Sequence, residues 1–192
     1  MKKLLTAMAG LAFPVLAFGQ ASSIEPGTPL KILKDVDSVV VQTLDGPVTI
    51  TREMTACAKN GGTLQPLIPV EGVHPVGEIE ILEALNDTGA VVVDMRDLND
   101  RVKGTIPGSV GIPYTEVASR LNELGCSKTE STWTCDQAKD VYAFCNGPVC
   151  PQSPIAIRAM TREGFPADKI YYYRGGMLDW DALGLTTIKD QF

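Results

Sequence analysis

The chain has 192 residues, a formal net charge of −6 at pH 7 and 44% hydrophobic residues. This length allows one domain with a hydrophobic core and a smaller additional module. The excess of acidic side chains argues against nucleic acid or anionic lipid as a partner, because phosphate groups bind basic surfaces. After the N-terminal segment no run is long and apolar enough for a spanning helix, so we expect no membrane span.

Residues 1–19 have the pattern of a secretory signal peptide. Two lysines follow the initial methionine, the run Leu4–Phe18 is apolar, and small residues allow cleavage after Gly19 or Ala21. Such a segment directs a protein out of the cytoplasm and is then removed. We therefore expect a periplasmic or secreted protein.

Residues 20–72 are predicted to form a small β-containing extension. The runs Asp37–Thr43 and Val48–Thr51 have strand character, and they flank Asp45-Gly46, a dipeptide typical of hairpin turns. The extension has too little apolar content to fold well by itself. We expect it to pack on the unit formed by residues 73–192.

From residue 73 onwards, helical and strand patterns alternate. The predicted strands are Ala90–Asp94, Val141–Phe144 and Ile170–Tyr173, and the predicted helices are Glu78–Leu85, Thr115–Leu124, a helix from Pro154 and a short one from Met177. This alternation predicts an α/β fold, with a parallel sheet flanked by helices. Active sites in such sheets lie at the carboxyl ends of the strands, and Cys145 stands at one of these ends.

The segment after Cys145 is the main candidate for a functional site. The predicted active-site loop consists of Asn146, Gly147, Pro148, Val149, Cys150, Pro151, Gln152 and Ser153. Ser153 suits the N-cap of the following helix, and Pro154 suits its first helical position. Backbone N–H groups and a helix N-terminus near a sulfur lower its pKa and bind anions. We therefore predict that Cys145 is a catalytic nucleophile.

Three stretches resemble motifs of the rhodanese family of sulfurtransferases. Val93–Arg96 resembles the Asp-x-Arg strand end, Gly104–Pro113 the Gly-His-Ile-Pro-Gly turn, and Tyr173–Trp180 the closing Gly-Gly-x-x-x-Trp. Cys145 lies where this family has its persulfide-carrying cysteine. The resemblance extends from about Val73 to Thr187 and implies a rhodanese-like sheet flanked by helices.

The resemblance also implies a reaction. A sulfurtransferase of this family would move sulfane sulfur from a donor to a thiophilic acceptor through a persulfide on Cys145. The partners would be a small sulfane-sulfur donor or a persulfidated protein, and a thiol acceptor or periplasmic reductant. No cofactor and no metal are expected.

The loop departs from the family pattern. Pro148 and Cys150 stand where the family often has Gly and a basic residue, and the loop is longer than usual. We therefore expect thiosulfate to be a poor donor and the partner to be larger or protein-borne. Related phosphatases need Arg at the sixth position after the cysteine, where Pro151 stands, so phosphatase chemistry is not expected.

The remaining cysteines leave several alternatives open. An odd number of five leaves at least one thiol unpaired in an oxidising compartment. Cys126 and Cys135 enclose a polar segment and are predicted to form a structural disulfide. Cys150 is an auxiliary thiol that could pair with Cys145, resolve its persulfide, or pair with Cys57.

Two other functions remain as alternatives to sulfur transfer. One is a thiol–disulfide oxidoreductase that uses Cys145 and Cys150, and the other is a catalytically inactive binding module with a rhodanese fold. Arg96 is predicted to be a structural ion-pair partner, with Asp100 as the candidate.

Overall fold

The structure is a computed structural model, and it describes residues 27–54, 61–130 and 132–189. The predicted signal peptide and Cys57 lie outside these ranges. The elements in chain order are β1 (Ser38–Thr43), β2 (Gly46–Thr51), β3 (His74–Pro75), α1 (Glu78–Ala84), β4 (Ala90–Asp94), α2 (Leu98–Arg101), β5 (Val110–Gly111), β6 (Ser127–Thr129), β7 (Thr132–Thr134), β8 (Asp140–Phe144), α3 (Gln152–Arg162), β9 (Ile170–Tyr173) and α4 (Gly176–Ala182). Within the described ranges, no helix has the length and apolar character that crossing a membrane requires.

The core of the molecule is a parallel sheet with the strand order β3-β9-β8-β4-β5. One hydrophobic cluster includes Ile157 and Met160 of α3, and another includes Ile81 of α1 and Trp180 of α4. Strand β8 lies between β9 and β4, so its two neighbours cover both of its edges. The predicted α/β fold with a parallel sheet flanked by helices is therefore confirmed.

The N-terminal hairpin of β1 and β2 is also confirmed, but its turn differs from the prediction. Thr43 pairs with Gly46, so the turn residues are Leu44 and Asp45 and not Asp45-Gly46. The hydroxyl of Thr43 explains this register, because it accepts a bond from the Asp45 N–H and donates one to the Gly46 carbonyl. Gly46 opens β2 with a φ of 111°, a conformation that glycine adopts easily.

Helix α3 begins earlier than predicted. The prediction that Ser153 is the N-cap and that Pro154 opens the helix is wrong, because the helix begins at Gln152 and Pro151 precedes it. The N–H of Ile155 makes an i→i−4 bond to the Pro151 carbonyl. Pro154 is tolerated because the first N–H groups of a helix have no intrahelical acceptor. The predicted end of the helix before Gly164 is confirmed.

The predicted helix Thr115–Leu124 is wrong. Two short 3₁₀ turns, Val117–Ser119 and Leu121–Leu124, occupy this segment. Arg120 separates them with φ −117° and ψ 24°, and its guanidinium bonds the carboxylates on both sides. The buried apolar residues thus reach the core without a continuous helix.

Cys126 and Cys135 are joined by a disulfide in the structure, as the sequence predicts. Between them β6 and β7 pair as a short antiparallel hairpin, so the polar segment is more regular than a loop. The Ala138 N–H donates to the Cys135 carbonyl just before β8 begins. The disulfide therefore lies near the amino end of β8, whereas Cys145 follows its carboxyl end.

Candidate active site

Cys145 lies at the carboxyl edge of the sheet, directly after β8. Its side chain is buried, with 1% of its surface exposed. Its carbonyl accepts a 3.0 Å bond from the Met177 N–H, and the Asn146 carbonyl accepts a 2.9 Å bond from the Leu178 N–H. Both donors belong to the first turn of α4, so the start of this helix fixes the strand end that carries Cys145.

Two glycines allow this close approach. Gly176 has a φ of 55°, and a Cβ there would collide with the Cys145 carbonyl oxygen. Gly147 has a φ of 152°, and a Cβ there would lie 2.9 Å from Leu178 Cβ. Because larger residues are excluded at both positions, the second Gly of the Gly-Gly motif has a direct structural role beside the cysteine.

The loop after Cys145 folds back over its sulfur. The Cys150 N–H donates a 2.9 Å bond to the Gly147 carbonyl, which closes a tight turn over Pro148 and Val149. Cys145 Sγ lies 3.4 Å from the Cys150 carbonyl oxygen, to which the thiol donates. The structure thus brings Cys150, in the middle of the predicted loop, back to Cys145.

Several donors stabilise the ionised form of Cys145. Burial raises the pKa of the thiol. Hydrogen bonds lower it, and they come from the Cys150 thiol, the Ser153 hydroxyl and the backbone N–H groups of Ser153 and Gly147. The result is a pKa of about 7. Ser153 Oγ is fully buried and has no hydrogen-bond partner among the described residues while Cys145 is a thiol. Its interaction with the Cys145 sulfur lowers the pKa of that thiol, because the thiolate gives the hydroxyl an acceptor.

Cys150 behaves in the opposite way. Its hydrogen bond to the Cys145 sulfur raises its pKa, and burial raises it further. Cys150 therefore keeps its proton and donates it, while Cys145 carries the negative charge. Of the two thiols, Cys145 is thus the one whose ionised form the site stabilises.

Arg96 connects the loop to the strand before it. Its guanidinium binds both carboxylate oxygens of Asp94, at 2.9 and 2.7 Å, and donates to the Gly104 carbonyl at 2.6 Å and to Asn146 Oδ1 at 3.2 Å. The prediction that Arg96 pairs with Asp100 is wrong, since Asp94 is its partner. Asp100 instead accepts a 2.7 Å bond from the Asn146 amide.

Gln152 makes a second connection to the same side of the site. Its amide nitrogen donates to Asp97 Oδ2 at 3.2 Å, and Cys150 Sγ lies 3.6 Å from its amide oxygen. Asp97 is the N-cap of α2, whose backbone it fixes. Gln152 therefore positions Cys150 from an anchored helix start, a role that the sequence does not reveal.

Two further polar residues near the thiols were missed by sequence reasoning. The Tyr172 hydroxyl and Arg174 Nε are buried and have no hydrogen-bond partner among the residues that the structure describes. Burial raises the pKa of Tyr172, and the charges of the nearby Cys145 and Cys150 raise it further. The register of β9 pairs Tyr172 with Ala143, and Arg174 directly follows the strand. The carboxyl end of this predicted strand is the signal that could have found them.

The described residues contain no group of three or more His, Cys, Asp or Glu side chains suited to holding a metal ion. The groups that meet at Cys145 are a thiolate, a neighbouring thiol and hydrogen-bond donors.

The chain belongs to the family of rhodanese-like domains. The family model "Rhodanese-like domain" matches residues 79–183, which is more than half of the chain. The predicted resemblance is therefore confirmed.

Two curated relatives match part of the chain. This chain is 32% identical over 106 residues to the HTH-type transcriptional regulator Rv0324 of Mycobacterium tuberculosis, and the aligned part covers 55% of this chain and 41% of the relative. This chain is also 30% identical over 95 residues to the "Putative sulfur carrier protein YrkF" of Bacillus subtilis, and the aligned part covers 50% of this chain and 43% of the relative. The chain thus spans less than half the length of these relatives.

Solved structures with a similar fold are more distant. A thiosulfate sulfurtransferase from Pseudomonas aeruginosa is 22% identical, with a TM-score of 0.49, and the match covers 62% of this chain and 21% of that chain. The BH2092 protein from Bacillus halodurans is 20% identical, with a TM-score of 0.49, and the match covers 60% of this chain and 77% of that chain.

Proposed function

We propose that this protein is a sulfurtransferase that carries sulfane sulfur on Cys145. The observation that supports the proposal most is a buried cysteine whose thiol pKa is lowered to about 7 at the carboxyl end of β8. Membership of the rhodanese-like family and a relative named as a sulfur carrier point to the same chemistry.

The proposed reaction has two displacement steps. The Cys145 thiolate attacks the outer sulfur of a donor, a sulfur–sulfur bond forms, and the donor fragment leaves with the bonding electron pair. The resulting persulfide is anionic at its outer sulfur, and the N–H groups of Gly147 and Ser153 are placed to stabilise it. A thiolate acceptor then attacks this outer sulfur and restores the Cys145 thiolate.

The proposed partners are those that the resemblance to sulfurtransferases implies. The donor is a small sulfane-sulfur compound or a persulfidated protein, and the acceptor is a thiol or a periplasmic reductant. We also propose that the protein acts in the periplasm or outside the cell. The proposal further divides the chain into an extension of residues 20–72 and a domain of residues 73–192. The proposed reaction requires no cofactor.

Intact mass tests the proposal directly. The reduced protein is exposed to thiosulfate or polysulfide and then to cyanide, with Cys145→Ser as the matched variant. We expect a gain of one sulfur atom in the wild type at early times and in Cys150→Ser, its removal by cyanide as thiocyanate, and no gain in Cys145→Ser. The proposal would be contradicted if neither the wild type nor Cys150→Ser gained sulfur from either donor.

Thiol–disulfide exchange is a second candidate, favoured by the hydrogen bond between the two thiols. Exchange needs both sulfurs, whereas persulfide formation needs only Cys145. Cys150→Ser should abolish exchange with a small disulfide and leave sulfur loading intact. Full function of Cys145→Ser would instead favour a binding module.

A further inference from the structure

Cys150 is a second buried nucleophile that the transfer reaction leaves unused. Its side chain is 6% exposed, and it is one of the two free cysteines in the described part of the chain. Its thiol interacts with the Cys145 sulfur, and its carbonyl oxygen accepts a 3.4 Å bond from the Cys145 thiol. The amide oxygen of Gln152 is a further acceptor for the Cys150 thiol, 3.6 Å from Sγ. This arrangement places one thiol where it can react with whatever forms on the other.

Loading of Cys145 changes the charge that Cys150 faces. Before loading, the negative charge on Cys145 Sγ accepts the Cys150 proton and keeps that thiol neutral. In a persulfide the inner sulfur becomes neutral, and the charge moves to the outer sulfur. The outer sulfur is then the available acceptor for the Cys150 proton, and the inner sulfur becomes open to attack by Cys150.

We propose that Cys150 is the resolving residue, which discharges the sulfur carried by Cys145 as hydrosulfide. This inference rests on the proposed function. The Cys150 sulfur attacks Cys145 Sγ, and a bond forms between these two atoms. The bond from Sγ to the outer sulfur breaks, and the outer sulfur leaves with the electron pair and the Cys150 proton. The outer sulfur is reduced by two electrons, and the two cysteines are oxidised to a disulfide.

A dithiol reductant is needed to complete the cycle. It reduces the Cys145–Cys150 disulfide by exchange and is itself oxidised to a disulfide. The reaction class is therefore reductive release of sulfane sulfur, with sulfane sulfur and a dithiol as substrates and hydrosulfide as product. Gln152 acts as a positioning residue, because its amide holds the attacking sulfur.

A thiosulfonate donor separates the two steps, because its leaving group is a sulfinate and hydrosulfide can come only from resolution. The wild type, Cys150→Ser and Cys57→Ser are each reduced, freed of reductant and mixed with this donor without a thiol acceptor. Hydrosulfide and intact mass are then followed in time. Cys57→Ser is the matched control, since it makes the same change at a cysteine outside the loop.

We expect the wild type and Cys57→Ser to release hydrosulfide and to end with a Cys145–Cys150 disulfide in peptide mapping. Cys150→Ser should keep its extra sulfur, and its rate of hydrosulfide release should be at most about one tenth of the wild-type rate. Equal retention of the extra sulfur by all three proteins would overturn the resolving role and leave the proposed function standing. Failure of both the wild type and a folded Cys150→Ser to take up sulfur or to release hydrosulfide would overturn the proposed function as well.

Discussion

The backbone N–H of Gln65 donates a 2.8 Å hydrogen bond to the carbonyl oxygen of Pro148, and this bond joins the N-terminal extension to the Cys145 loop. Gly62 lies so close to the same loop that a Cβ there would be 2.5 Å from the Val149 carbonyl oxygen. The Leu64 N–H bonds the Ile32 carbonyl at 2.9 Å, which ties this segment back to the rest of the extension. The segment Gly62–Gln65 therefore supports the outer side of the candidate active site.

Gly62→Ala tests this support. The added methyl group should displace Val149 and misalign the N–H donors around Cys145, and the loss of one such bond corresponds to about a fivefold lower rate of sulfur loading. The rate is measured with a thiosulfonate donor by intact mass. Gly89→Ala is the control. Gly89 lies before β4 at the opposite end of the sheet, and the atom nearest to an added Cβ would be a flexible Asp87 oxygen at 3.3 Å. An unchanged loading rate in Gly62→Ala would show that the loop does not depend on this contact.

The pH dependence of Cys145 reactivity gives a second prediction. Because the thiol pKa is lowered to about 7 from 9.0, alkylation by iodoacetamide should be half-maximal near pH 7 and should be lost as the pH falls below it. Ser153→Ala removes a donor to the thiolate, so the pKa should rise by about one unit and alkylation at pH 7 should slow about fivefold.

Ser119→Ala is the matched control, since its exposed hydroxyl bonds only the nearby Glu116 carbonyl in the described structure. The rate is followed by the mass of the Cys145 peptide from pH 5 to 9. Identical titration curves for Ser153→Ala and Ser119→Ala would contradict the role of the Ser153 hydroxyl.

The buried strands and the site cysteine could be read from the sequence because their signals are local. The apolar runs in β4, β8 and β9 allow few alternatives to a buried parallel sheet. Cys145 directly follows one of these runs, so the end of the strand fixes its position. The helix prediction for Thr115–Leu124 was wrong because the apolar spacing of this segment fits a helix and a pair of 3₁₀ turns equally well.

The polar network was harder to predict because it depends on contacts between distant segments. Asp100 is the partner that the sequence suggests for Arg96, but the guanidinium bonds Asp94 at the end of β4. It also bonds Gly104 and Asn146, which lie 8 and 50 positions away in the sequence. The bond from Gln65 to Pro148 has no sequence signal at all, since any backbone N–H can make it.

Arg96→Lys tests the polar network. A lysine keeps the charge but cannot make the bidentate bond to Asp94 and also bond Gly104 and Asn146. Both members of the ion pair are buried, so we expect a loss of about 2–4 kcal/mol in the free energy of unfolding. Urea denaturation measures it, with Arg162→Lys at the exposed end of α3 as the control. A loss no greater than that of the control would show that the guanidinium geometry is unimportant.

The disulfide between Cys126 and Cys135 should contribute to stability and not to the chemistry of Cys145. It closes a short loop with a sequence separation of 9, for which the chain-entropy argument gives about 2–3 kcal/mol. The double variant Cys126→Ala/Cys135→Ala should lose this amount in urea denaturation, and the reduced wild type should show a similar loss. Because the pair lies at the amino end of β8, the pH midpoint of Cys145 alkylation should stay unchanged. A shifted midpoint would mean that the hairpin of β6 and β7 acts on the candidate active site through the strand.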